Sequence, residues 1–181
     1  IGNGLTVARA CLWLNKRPIE LLYQPGQGWA NNISIVYTRQ NGRVKKIVKI
    51  VGTFFPENQG PTAFLWTNGH PEFLGPGYAA AINSSGAVVG WNSVDGKSQA
   101  ILWQGLGQTI LPALNDSSAW ANDINNNGVV CGSSGNSAVK WEKQPDYPNQ
   151  FGITDFNNRI KTEDADSWLL FAAMAINDSG E

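Results

Sequence analysis

Apolar and polar residues alternate along this chain in short runs such as Val88-Val89-Gly90-Trp91-Asn92, Gln99-Ala100-Ile101-Leu102-Trp103 and Ala119-Trp120-Ala121-Asn122-Asp123-Ile124. Asn, Gly, Ser and Asp separate the runs. These residues tolerate left-handed backbone or bond their own main chain in tight turns. The pattern predicts strands and hairpins from one end to the other. No stretch holds the apolar period of a surface helix, although Trp168 to Ile176 is apolar enough to suit a strand or a short helix. It is assigned to a strand because its last residues match a motif that recurs elsewhere.

Two markers recur. The first is an Ala-x-x-Trp strand: Ala10-Cys11-Leu12-Trp13, Ala63-Phe64-Leu65-Trp66, Ala100-Ile101-Leu102-Trp103 and Ala138-Val139-Lys140-Trp141, with Trp-to-Trp spacings of 53, 37 and 38. The second is an Ile-Asn strand, a turn closed by Gly, two apolar residues and a second Gly. It runs Ala80-Ala81-Ile82-Asn83-Ser84-Ser85-Gly86-Ala87-Val88-Val89-Gly90 and again Asn122-Asp123-Ile124-Asn125-Asn126-Asn127-Gly128-Val129-Val130-Cys131-Gly132. A degraded copy, Trp29-Ala30-Asn31-Asn32-Ile33-Ser34, precedes an insertion that delays the closing Ile50-Val51-Gly52 and predicts a long hairpin. A fourth copy is Ala175-Ile176-Asn177-Asp178-Ser179-Gly180-Glu181.

The chain therefore reads as one repeat domain, 1–181, of four units at about 1–50, 51–88, 89–130 and 131–181. Each unit has four short strands: one such as Val88 to Asn92, a turn at Ser93 to Lys97, the Trp strand Gln99 to Trp103, a strand near Thr109 to Leu114, and the Ile-Asn strand Ala119 to Asn125. A unit this small has an apolar face it cannot cover alone, so units must stack on one another. Gly180-Glu181 begins the Gly-x-Val-Val-Gly element and Ile1-Gly2 supplies its end. The expected fold is all-β: a small β-propeller of four four-stranded blades, with the ring closed by pairing of the N- and C-terminal strands. The alternative is an excerpt of a longer open array. The chain begins at Ile1 rather than Met and reads as a processed or excised piece.

The pattern Ala-x-Leu-Trp followed by Ala-Ile-Asn-x-x-Gly-x-Val-Val-Gly resembles the HAF-type extracellular repeat of bacterial secreted and surface proteins. The likeness spans essentially the whole chain and is closest in the second and third units. Arg9, Thr62, Gln99 and Ser137 stand where that family has its leading His. The resemblance implies a β-propeller-like module in a secreted, periplasmic or cell-surface setting, and it carries over no catalytic residue.

Composition narrows the function classes. Charged residues are 15% of the chain and the formal net charge is -1, with one dense basic run, Arg43-Val44-Lys45-Lys46, inside the insertion. That is not the electrostatic footprint of a nucleic-acid binder. No apolar stretch approaches the roughly 18 residues of a membrane-spanning helix. Cys11 and Cys131 match neither a disulfide framework nor a zinc spacing and read as two buried thiols, or as a bridge if the first and fourth units are neighbours. No oligomeric state follows from the sequence.

Residues repeated in every unit serve what every unit shares, which is packing. Trp13, Trp66, Trp103 and Trp141 are thus expected in the core. Trp29, Trp120 and Trp168 fall at related positions before the Ile-Asn strand, and Trp91 has no counterpart. Trp91, followed by Trp29 and Trp120, are the candidate ligand-binding residues, able to stack on a sugar or a peptide. His70, the sole histidine, reads as a residue of a hairpin tip in Thr67-Asn68-Gly69-His70-Pro71. No nucleophile elbow, metal spacing or cofactor motif is present. Asp95-Gly96 and Asn177-Asp178-Ser179-Gly180 lack the ligand run of a calcium loop and read as turns.

Asp155, Glu163, Asp164 and Asp166 form the one dense carboxylate group. All come from the fourth unit and none recurs elsewhere, as in a solvated loop, and a glycoside-acting enzyme would use these carboxylates. The expected function is a non-catalytic secreted or surface module that binds a glycan, peptide or protein through its loops. The alternatives are a structural repeat of a larger extracellular assembly and the glycoside-acting enzyme.

Overall fold

The computed structural model describes residues 8–105, 107–161, 163–164 and 167–181. Among them the fold is all-β: fourteen strands, two short 3-10 turns at Leu114–Asp116 and Phe156–Arg159, and no α-helix. Among the described residues no helix is long and apolar enough to cross a membrane. The first two strands, β1 (Cys11–Leu14) and β2 (Arg17–Glu20), pair with each other. Next come β3 (Gly26–Gln40), β4 (Arg43–Pro56), β5 (Thr62–Thr67) and β6 (His70–Pro76), a sheet in that order. The third sheet holds β7 (Tyr78–Ile82), β8 (Val88–Val94), β9 (Lys97–Gln104) and β10 (Gly107–Ile110). The last holds β11 (Ala119–Ile124), β12 (Val130–Ser134), β13 (Ser137–Gln144) and β14 (Tyr147–Asp155). Each four-stranded sheet is a meander of consecutive strands, as short hairpin connections require. Asn41-Gly42, Asn68-Gly69 and Asp95-Gly96 turn three of the hairpins with both residues at positive φ, the geometry that matches strand twist.

The chain divides into two compact units, Ile1–Ala79 and Ala80–Glu181. In the second, Val89, Leu102, Leu111, Ala121, Val130 and Trp141 belong to one buried cluster shared by the third and last sheets. In the first, Leu21, Leu22, Ile50, Phe54, Phe64 and Trp66 form the core.

The sheets are out of phase with the sequence repeat by one strand. The Asn-x-x-Gly turn closes a hairpin, so the Ile-Asn strand pairs with the strand after the turn (β7 with β8, β11 with β12) and opens a sheet instead of ending one. The turn is held by its own Asn. Asn125 N donates to Val129 O at 3.0 Å, and Asn125 Oδ1 accepts from Asn127 N at 3.0 Å and Val129 N at 2.9 Å. Asn83 treats Gly86 N and Ala87 N in the same way, and Asn177 treats Glu181 N.

The same side chains stack successive turns. Asn83 Nδ2 donates to Asn125 O at 3.0 Å, and Asn125 Nδ2 donates to Asn177 O at 2.9 Å. One rung outward, Ser84 N donates to Asn126 Oδ1 and Asn126 N to Asp178 Oδ1. The Asn126 amide groups hold the Asp178 carboxyl below the usual carboxylate range. The repeated Asn is therefore both turn former and cross-repeat donor.

A second repeated device links Trp to Gly. Register shifts break the ladder between Ala30 and Asn32 and between Ala121 and Asp123, the bulge in each case following a Trp. The bulge presses the Trp29 carbonyl onto Gly52 and the Trp120 carbonyl onto Gly132, where a Cβ would overlap the oxygen. The second Gly of the repeat is thus demanded by a close backbone approach.

Three expectations are corrected. Trp66, Trp103 and Trp141 are buried, but Trp13 is 70% exposed. Each buried Trp stands opposite an apolar residue of the preceding strand (Ile50, Val88 and Val130), whereas β1 has only β2 beside it among the described residues, and Trp13 faces Pro18. Residues 168–176 are not a strand. A strand needs consecutive ladder bonds, and among the described residues the segment is tied to the last sheet by isolated ones, Ala138 N to Leu170 O and Ala173 N to Gly132 O. The strand expected near Thr109 to Leu114 is shorter, ending at Ile110, because Leu114–Asp116 turns with Asn115 and Asp116 at positive φ. The terminal pairing through Ile1-Gly2 lies outside the described residues.

Cys11 is half-buried and Cys131 buried, and both are free thiols. Burial, and secondarily the Asp123 carboxylate, push the Cys131 thiol up from 9.0 to about 11. Iodoacetamide near pH 8 is therefore expected to alkylate Cys11 first and to spare Cys131 until the chain unfolds, as peptide mass mapping would report. A thiol that stays protonated in the folded state stabilises it fully below the unfolded pKa. This contribution should fade as pH rises from about 9 to about 11. Equal labelling of the two thiols in the folded chain would contradict this environment.

Candidate functional site

Trp29, Trp91 and Trp120 do not converge. Trp29 lies in the first compact unit and the other two in the second. Trp29 is 47% exposed and meets Phe55 edge to face at 4.5 Å, while Phe55 stands in turn against Tyr78 at 6.0 Å. Trp120 is half-buried, and its carbonyl and that of Trp29 make the repeated bulge contact. Trp91 is half-buried on β8 opposite Ala100. None of the three lines the grooves described next.

The first unit carries an open apolar groove of ≈ 700 Å³. It is lined by Leu12, Trp13, Leu14 and Ile19 of the β1–β2 hairpin, by Ile33, Ile35, Lys46 and Val48 of the β3–β4 hairpin, and by Trp66, Asn68 and Gly69. The apolar face of β3–β4 comes from strand alternation. Ile33, Ile35, Tyr37 and Arg39 project to one side, and across the ladder Ile35 faces Val48, Tyr37 faces Lys46 and Arg39 faces Val44. Trp13, Leu14, Ile33, Ile35, Tyr37 and Val44 are all exposed. An apolar face this continuous on a folded chain marks an interaction surface more often than scattered single residues do. The insertion was visible in the sequence as a basic hairpin. Its Ile-x-Ile-x-Tyr alternation is the sequence signal of the apolar face.

The second unit has a polar groove of ≈ 450 Å³ lined by Lys97, Gln99, Thr109, Asp116, Asn149 and Gln150, with Ile110 and Phe151 adding apolar surface. Lys97 Nζ and Asp116 Oδ1 pair at 2.7 Å on its wall. Amides, a hydroxyl and an ion pair around a small apolar patch can bond sugar hydroxyls, but the ion pair is exposed and adds little to stability.

The carboxylates of the fourth repeat are dispersed in role. Asp155 accepts from Asn157 N at 2.9 Å and Ser137 Oγ at 3.0 Å, which caps the turn that follows it. Glu163 and Asp164 are exposed, and Asp166 lies outside the described residues. His70 is exposed at the start of β6, directly after the Asn68-Gly69 turn. Among the described residues no three His, Cys, Asp or Glu side chains are grouped to hold a metal ion.

No family model, no curated protein and no solved structure matches the chain.

Proposed function

We propose that this chain is a non-catalytic binding module of a secreted or surface protein, built from propeller-like β-repeats of HAF type, and that it takes a polypeptide ligand in the groove of its first unit. The observation that carries the reading is Trp13. It occupies a repeat position whose three counterparts are buried, and it stands 70% exposed in the wall of an apolar groove. Large exposed aromatics in a concave apolar setting are the usual anchors of binding surfaces. Support for the propeller-like architecture comes from three consecutive four-stranded meanders and from the Asn ladder that stacks successive turns. Against catalysis, Asp155 is engaged in capping, and Glu163 and Asp164 are exposed.

The test is a display screen of random linear peptides against the whole chain, followed by titration of the selected peptides. Peptides that bind the wild type and lose about tenfold or more in affinity, roughly 1.4 kcal/mol, with Trp13→Ala support the groove. Selection of no peptide, or of peptides indifferent to Trp13→Ala, sinks it. A glycan ligand is the second reading, favoured by the polar lining of the second unit's groove. A glycan array run in parallel distinguishes the two.

A further inference from the structure

Resting on that reading of the first unit's groove, we infer that its ligand is an acidic polypeptide segment bound in extended form. Residues 26–56 contain Arg39, Arg43, Lys45, Lys46 and Lys49 and no Asp or Glu. Arg39, Arg43, Lys45 and Lys46 are exposed, and among the described residues none of these four forms an ion pair with a carboxylate. Two of them matter most. Alternation from Ile33 and Ile35 puts Arg39 on the groove face, and Lys46 lines the groove itself. Arg43 and Lys45 stand on the opposite face, opposite Gln40 and Thr38. The apolar floor thus leads outward along Tyr37 and Val44 between two cations, a surface complementary to alternating apolar and acidic side chains.

Two further features select an extended main chain. β3 is the edge strand of its sheet, and beyond Gly28, which donates to Ala8 O, no strand is paired along its outer side among the described residues. Such an edge presents unpaired backbone groups that another extended chain satisfies. The groove is also a cleft between two hairpins, which suits a segment laid along it better than a flat lipid surface. A second copy of this chain would set one uniformly cationic hairpin against another. Like charges brought together oppose that pairing.

The test uses fluorescence anisotropy of the whole chain with three labelled synthetic peptides that share alternating Val positions and carry Glu, Gln or Lys between them. The Glu peptide is expected to bind about tenfold or more tightly than the Gln peptide, with the Lys peptide weakest, and the advantage should shrink as salt shortens the screening length. Arg39→Glu with Lys46→Glu should abolish the preference, while Arg43→Glu with Lys45→Glu should leave most of it. Circular dichroism and the melting curve of each variant establish that it is folded. Equal binding of the Glu and Gln peptides overturns the acidic ligand and leaves the groove reading standing; no binding of any peptide removes both. Tighter binding to phosphatidylserine vesicles than to any peptide, lost in Ile35→Asp, replaces the polypeptide with a lipid surface. Self-association in sedimentation velocity that disappears in Ile35→Asp replaces it with a second copy.

Discussion

Gly132→Ala is expected to destabilise the chain by about 3 kcal/mol or more, in the upper range for a single methyl group. Gly132 lies on β12 opposite the bulge of β11, and its added Cβ would overlap the Trp120 carbonyl oxygen, with Cζ3 of Trp141 at 3.0 Å. Neither neighbour gives way cheaply: one is backbone, and the other is the ring of a fully buried Trp. Relief requires undoing the bulge, which would shift the register of β11 by one residue and turn its buried Ala119 and Ala121 toward solvent. The control is Gly128→Ala in the adjoining turn. Gly128 has φ of 79° and nothing within 4 Å of its Cβ position, so only backbone strain of about 1 kcal/mol opposes the change. Urea titrations measure both. A Gly132→Ala midpoint equal to or above that of Gly128→Ala would mean that the bulge does not dictate the second Gly of the repeat.

Truncating the tryptophans of the repeat should split them. Trp141→Ala is expected to cost about 3–5 kcal/mol and Trp13→Ala less than about 0.5 kcal/mol, although the two occupy the same position of the repeat. Trp141 is fully buried in the core of the second unit, and its Nε1 donates to Pro112 O at 2.7 Å. Its removal leaves a large cavity and an unpaired carbonyl. Trp13, by contrast, loses only an exposed face.

Phe at these positions separates the two contributions. Trp141→Phe should forfeit the hydrogen bond, about 1 kcal/mol, in addition to lost packing. Trp66 and Trp103 bury an Nε1 that has no partner among the described residues, so their Phe variants should lose packing alone. Thermal or urea unfolding of the set gives the order. Comparable losses at Trp13 and Trp141 would show that Trp13 is packed in solution, and would remove the exposed aromatic from the groove.

Much of the local structure is legible along the chain. The Asn-Gly and Asp-Gly hairpins, the Trp strands and the Asn-x-x-Gly turns stand where the punctuation puts them, because a turn at positive φ is decided by the few residues that make it. The long basic hairpin was readable from the insertion in the first unit. The sheet boundary was not, because the repeat has no first residue in sequence, and only hydrogen bonding shows that β7 and β11 open their sheets. The segment 168–176 carries a strand's residues without a strand's ladder, and isolated bonds such as Ala138 N to Leu170 O and Ala173 N to Gly132 O hold it instead. Of the candidate site, the basic run was visible, whereas Trp13 reads in the sequence as a core residue and is exposed. Their meeting with Ile33 and Ile35 around one groove was not visible, because it depends on which face of each hairpin turns toward the other.

By itself, then, the sequence determined the alternation, the turns, the four copies of Ala-x-x-Trp and the three of Asn-x-x-Gly, features set by neighbouring residues. Tertiary structure decided the fate of each copy. Trp66, Trp103 and Trp141 are covered because Ile50, Val88 and Val130 stand opposite them across a ladder, and Trp13 is open because it faces Pro18 and, among the described residues, β1 has only β2 beside it. Burial belongs to what lies beside a residue in space, and the same four letters acquire different neighbours in different copies.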